Sequence, residues 1–159
     1  GVVVNLDLNG KTLTNKVENA ATDVIVVAAG ATLTINGEGT VEAVTGNDGY
    51  AVIAEGTVVI NGGTFKSGVD ANGEANAVVY ARGEGKVYVN GGTFPNDNTS
   101  KFVLNKKDAD RATAVVEVKG GKFQSFDPAN NAAEGAGTNF VATGYKSELV
   151  DGWYVVSAQ

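Results

Sequence analysis

The chain has 159 residues, the length of one domain, and its 43% hydrophobic content is enough to fill a narrow core. A net charge of −6 with no basic cluster argues against nucleic acid or anionic lipid as a partner. Cys, His and Met are all absent, which removes disulfides, thiolate or imidazole metal ligands and His-based catalysis.

Gly1 to Leu8 opens the chain as a β-rich run with Val2, Val4, Leu6 and Leu8 at strand period. No polar cap precedes it, so Val2 and Val4 are the expected assembly residues, meeting upstream chain or a neighbouring protein. The chain starts at Gly1 without Met, which reads as a start processed or cut from something longer. No signal-peptide pattern and no apolar run long enough to cross a bilayer is present, so no membrane insertion is expected.

A motif then recurs five times: two alternating aliphatic residues, Asn-Gly or Lys-Gly, and a further apolar residue. The anchors Gly10, Gly37, Gly62, Gly91 and Gly120 lie 27, 25, 29 and 29 residues apart, a period of solenoids and arrays. Aligning the anchors predicts three inward columns. The first is Leu6, Leu33, Val58, Val87, Val116 and the second Leu8, Ile35, Ile60, Val89, Val118. The third is Leu13, Val41, Phe65, Phe94, Phe123. Asp7, Thr34, Val59, Tyr88 and Glu117 fall on the outward face. At the corner, Gly supplies positive φ and Asn tolerates it, and Asn9, Asn36, Asn61 and Asn90 are expected to stack as an amide ladder rather than to line a ligand site.

Between anchors lie further β-rich runs, Val24 to Val27, Ala51 to Ala54, Ala77 to Tyr80 and Phe102 to Leu104. About three strands per repeat with no helix between them predict an all-β, single-stranded right-handed parallel β-helix of about five coils over residues 1–125. Its core would be a rod roughly 20 to 25 Å long at the strand spacing of about 4.8 Å. Polar segments of variable length, Val44 to Tyr50, Lys66 to Asn76, Pro95 to Lys101 and Asn105 to Ala112, are expected to be loops gathered at one corner.

Past Phe123 the repeat ends, and residues 126–159 read as a C-terminal capping segment. Asp127, Pro128 and Gly135 mark a short helical turn over Pro128 to Glu134. Asp151-Gly152 between two β-rich runs marks a β-hairpin cap, with Trp153 as its packing residue.

Chemistry is sparse. A carbohydrate lyase or hydrolase needs grouped carboxylates beside an Arg or Lys, but Asp7 and Glu117 are four coils apart, and neither Arg82 nor Arg111, the only arginines, has an acidic pair on a neighbouring strand face. Asp70, Asn72 and Glu74 alternate in a Gly-containing loop and are the calcium candidates, beside Asn47-Asp48-Gly49. Asn98-Thr99-Ser100 is a formal glycosylation acceptor. Thr12 with Thr14, and Thr32 with Thr34, do not recur as Thr-x-Thr later, so a regular ice-binding array is not expected. No catalytic residue and no cofactor is assigned.

The segments LDLNGKTLTN, GATLTINGEGTV, GTVVINGGTF, KVYVNGGTF and FDPANNAAEGAGTNFVATGYKSELVDGWYVV together resemble repeats of pectin-lyase-like right-handed β-helix proteins. Repeats with this wording occur in surface proteins of gut bacteria and structural proteins of their bacteriophages. The family's catalytic Arg and calcium-binding Asp cluster have no matching positions here. The resemblance therefore implies a non-enzymatic structural or attachment module, foremost a bacteriophage virion protein such as a capsid decoration or fibre part, located on a virion or cell surface. A bacterial adhesin module is the alternative, and a carbohydrate-active lyase or hydrolase the second. The implied partners are other virion or surface proteins, further copies of the chain, or glycans.

Overall fold

A computed structural model describes residues 1–15, 23–43, 49–68, 77–96, 102–131 and 134–159. The chain first forms β1 (Val3–Asp7), β2 (Thr12–Thr14) and β3 (Ile25–Val27), then β4 (Thr32–Asn36), β5 (Thr40–Glu42) and β6 (Val52–Ala54). Next come β7 (Thr57–Ile60), β8 (Thr64–Lys66), β9 (Val79–Ala81), β10 (Lys86–Val89), β11 (Thr93–Phe94) and β12 (Leu104–Lys106). A 3-10 turn over Asp108–Asp110 leads to β13 (Val115–Val118) and β14 (Gly121–Gln124), and β15 (Tyr145–Val150) and β16 (Trp153–Ala158) follow.

Every third strand of the winding joins the same sheet. The first sheet runs β1-β4-β7-β10-β13 and the third β3-β6-β9-β12, with parallel pairing throughout. The second sheet runs β2-β5-β8-β11-β14 in parallel and continues through β16 and β15, which pair antiparallel. This is an all-β parallel solenoid of the right-handed type, the hand that parallel crossovers adopt. The expected count of about five coils is corrected downward. The third sheet has four strands against five in the first, so fewer turns close on all three faces. Beyond β14 the Gly-anchored pattern stops and the chain leaves the winding.

Inward side chains stack because parallel pairing places like positions over one another. Phe65, Phe94 and Phe123 are fully buried, with successive ring centroids 5.4 and 4.7 Å apart. Each such side chain contributes about 1.5–3 kcal/mol by leaving water. Leu13, at the head of this column, is 40% exposed. The third sheet adds Ile25, Val52, Val79 and Leu104 in register.

In the first copy the register differs from the anchor alignment. Val4 stands opposite Leu33, Leu6 opposite Ile35 and Asp7 opposite Asn36, two residues earlier than expected. Asn9 and Gly10 both have positive φ, 46° and 71°, and Lys11 N donates to Leu8 O at 2.8 Å, so Leu8 to Lys11 is a tight turn of the I′ kind. Asn-Gly therefore makes a local reversal here. In the later copies the positive φ belongs to glycine alone, at Gly37, Gly63, Gly92 and Gly121. Leu8 is turned inward at 5% exposure, and a Cβ at Gly39 or Gly63 would fall 2.6 Å from it. Two extra corner residues thus let Leu8 fill space that the exposed Leu13 does not.

The expected Asn105 to Ala112 loop is also revised. Asn105 and Lys106 belong to β12, and the segment joins the third sheet to the first rather than the second to the third. The Asp127-Pro128 turn is present, with Ala129 N donating to Asp127 Oδ1 at 2.9 Å. The rest of the proposed helical turn lies partly outside the described residues. At the hairpin, Asp151 and Gly152 take φ of 49° and 82°, the conformation a two-residue I′ loop requires. Trp153 is half-buried, whereas Phe126, Phe140, Tyr154 and Val156 pack on the core.

Candidate functional site

Two grooves cross successive repeats at the corners flanking the first sheet. The larger, about 890 Å³, lies where the first sheet turns into the second. Its floor is Gly37, Gly39, Gly62, Gly63, Gly91, Gly92 and Gly121, the glycines of the repeated corner. These positions need glycine for two reasons: several hold positive φ, and a Cβ at Gly91 would sit 2.5 Å from Asn61 O. The same requirement leaves the corner without side-chain cover.

Asn61 lines one side of this groove and belongs to an amide ladder. Asn61 Nδ2 donates to Asn36 Oδ1 at 2.8 Å, and Asn90 Nδ2 donates to Asn61 Oδ1 at 2.9 Å. Asn9 is not part of it; Asp7 holds that register position, and its Oδ1 accepts from Asn9 N at 2.9 Å. The opposite side is a threonine column. Thr12 pairs with Thr40, Thr40 with Thr64, and Thr64 with Thr93, which pairs with Lys122. A search for Thr-x-Thr misses this column, because only one Thr position, the one before the third apolar column, recurs from turn to turn. The usable signal is the Thr immediately before Leu13, Val41-preceding Thr40, and the Thr before Phe65 and Phe94.

The smaller groove, about 760 Å³, lies where the third sheet turns into the first. Glu55, Arg82, Glu84, Lys86, Lys107 and Asp110 line it. Three of these six charged side chains are partnered within the chain. Arg82 Nε donates to Glu55 Oε1 at 2.8 Å, and Asp110 Oδ2 accepts from Gly83 N at 2.7 Å. Nearby Tyr80 stacks on Tyr50 at 4.9 Å, and burial raises its phenol above the ordinary value, with the Asp108 charge adding to the rise.

Asp7 and Glu117 sit on the first and last strands of the first sheet, as far apart as that sheet allows. Glu117 instead accepts from Lys119 Nζ at 2.8 Å, which raises the lysine pKa. Arg111 is held by Asp108 at 3.0 Å and Glu134 at 2.9 Å. Glu134, whose side chain is 1% exposed, was not anticipated; it also accepts from Lys106 N at 2.5 Å. Buried Asn131 donates to Leu104 O at 3.3 Å. These two side chains satisfy backbone groups of β12.

Asp70, Asn72 and Glu74, with Asn47, Asp48 and Asn98, lie outside the described residues. Among the described residues, no three acidic side chains gather as metal ligands, and no helix is long and apolar enough to cross a membrane. Comparison with protein-family models, curated protein sequences and solved structures gives no match to this chain.

Proposed function

We propose that this chain is a non-enzymatic structural or attachment module of the pectin-lyase-like β-helix kind, carried on a virion or other exposed surface. The observation that supports it is axial continuity: stacked Phe65, Phe94 and Phe123 rings and the Asn36-Asn61-Asn90 amides run through the same turns as three parallel ladders. Such a core resists bending because each turn is bonded to the next on every face. In this reading residues 126–159 serve as the end cap. Attachment to neighbouring proteins runs through the first strand and the residue before it, where Val4 and Val2 are 46% and 67% exposed.

The test is incubation of the purified protein with pectin, alginate and other acidic glycans, with and without calcium. The expected result is no release of unsaturated or reducing ends. Turnover that disappears on Arg82→Ala or Asp70→Ala would overturn the proposal.

A further inference from the structure

The hairpin that extends the second sheet also gives that sheet a new edge. β15 is its terminal strand, and the side of β15 away from β16 pairs with no other described strand. We propose that this edge is a homodimer contact, in which β15 pairs antiparallel with β15 of a second copy across a two-fold axis at Ser147. The contact lies at the end of the solenoid opposite the first strand, so it goes beyond the attachment reading and does not rest on it.

Three observations choose a second copy as the occupant. First, the hairpin register fixes which backbone groups are open. Gln159 N donates to Gly144 O at 2.9 Å, so by antiparallel alternation Gly144, Lys146, Glu148 and Val150 bond toward β16, while Ser147 and Leu149 turn their N–H and C=O groups to the free edge. Such an edge is a template for another strand. Second, the inward row of β15 is unfinished. Ser147 and Leu149 lie opposite Val156 and Tyr154, which pack on the core, yet Leu149 is 63% exposed. Ser147 Oγ is buried and, among the described residues, is the one such side-chain atom without a hydrogen-bond partner. With Ser147 on the two-fold axis its hydroxyl meets the hydroxyl of the partner's Ser147, and Leu149 lies against the partner's Tyr145.

Third, the charges are self-complementary. Lys146 and Glu148 flank Ser147, so the antiparallel self-pair sets Lys146 opposite the partner's Glu148 and Glu148 opposite the partner's Lys146. In the single chain these two exposed side chains close on each other instead, Lys146 Nζ to Glu148 Oε1 at 2.9 Å. Charges on an edge ordinarily turn an incoming strand away, and here they admit the one strand that carries the same pair in reverse. Moving the axis to Glu148 would set glutamate against glutamate. Placing it between residues would set an inward side chain opposite an outward one. A like-to-like contact of this kind closes as a dimer and builds no filament.

Sedimentation velocity of the full chain over a concentration series is the test. The wild type should form a dimer that weakens as salt rises. Lys146→Glu and Glu148→Lys each set like charges opposite one another and should weaken the dimer about tenfold or more, with far-UV circular dichroism unchanged. An equimolar mixture of the two variants restores both opposite-charge pairs and should form a heterodimer. Hydrogen exchange at the Ser147 and Leu149 amides should slow as protein concentration rises. A monomer at every concentration, a dimer that either single variant leaves intact, a mixture that stays monomeric, or a dimer lost instead on Val4→Glu would each overturn the proposal. Release of reducing ends from glycans would overturn the non-enzymatic reading and leave this contact standing.

Discussion

The two ends of the solenoid are built differently. At the C-terminal end the last strand of each sheet finds a partner outside the repeat. β14 pairs with β16, Val118 on β13 exchanges hydrogen bonds with Phe140 and Ala142, and β12 meets the side chains of Glu134 and Asn131. At the N-terminal end β1, β2 and β3 are each the terminal strand of their sheet. Val4 on β1 and Leu13 on β2, which take inward register positions opposite the buried Leu33 and Val41, are 46% and 40% exposed. The contrast teaches that a parallel solenoid can satisfy an edge in three ways: by an antiparallel strand, by a single extended segment, or by isolated polar side chains. Only the first leaves an obvious mark in sequence, because only a hairpin needs its own turn residues.

The sharpest way to break this contrast is to empty one column at both ends. Phe123→Ala removes a fully buried ring stacked on Phe94 and should cost about 3–5 kcal/mol. Leu13→Ala, in the same column, should cost less than about 1 kcal/mol because the side chain is 40% exposed. Equal losses in denaturant melts would mean that the two ends are covered alike.

A smaller effect tests the polar closure of β12. Glu134→Ala leaves Lys106 N without its acceptor and should cost about 1–3 kcal/mol, together with faster hydrogen exchange at Lys106. The cost stays below that of breaking a fully buried ion pair, since Arg111 is 44% exposed and turns to water. Unchanged exchange at Lys106 would show that the carboxylate does not hold this edge.

The smallest effect separates two Asn-Gly steps that look alike in sequence. Asn61→Ala breaks two ladder bonds at the surface and should cost about 1 kcal/mol. Asn9→Gly keeps the positive φ of its turn and should change stability by less than about 0.5 kcal/mol. A larger loss at Asn9 than at Asn61, read from thermal melts, would contradict the register of the first copy.

Much of the architecture is local and was therefore legible in advance. Alternation assigns Leu33, Ile35, Val58, Ile60, Val87 and Val89 to the interior, and all six are buried. The double glycines mark corners because positive φ is a property of one residue, not of its neighbours. Asp151-Gly152 marks a hairpin for the same reason. Register, by contrast, belongs to a pair of strands. Nothing within LDLNGKTLTN says whether Asp7 or Asn9 will face Asn36, and the packing of Leu8 under the first turn decided it. Glu134 and Asn131 looked like ordinary members of a polar stretch. They became buried acceptor and donor only when the chain folded back over β12. The groove is likewise a product of stacking: a single Thr and a single glycine corner per repeat carry no signal alone, and become a lined channel when the winding sets them one above another.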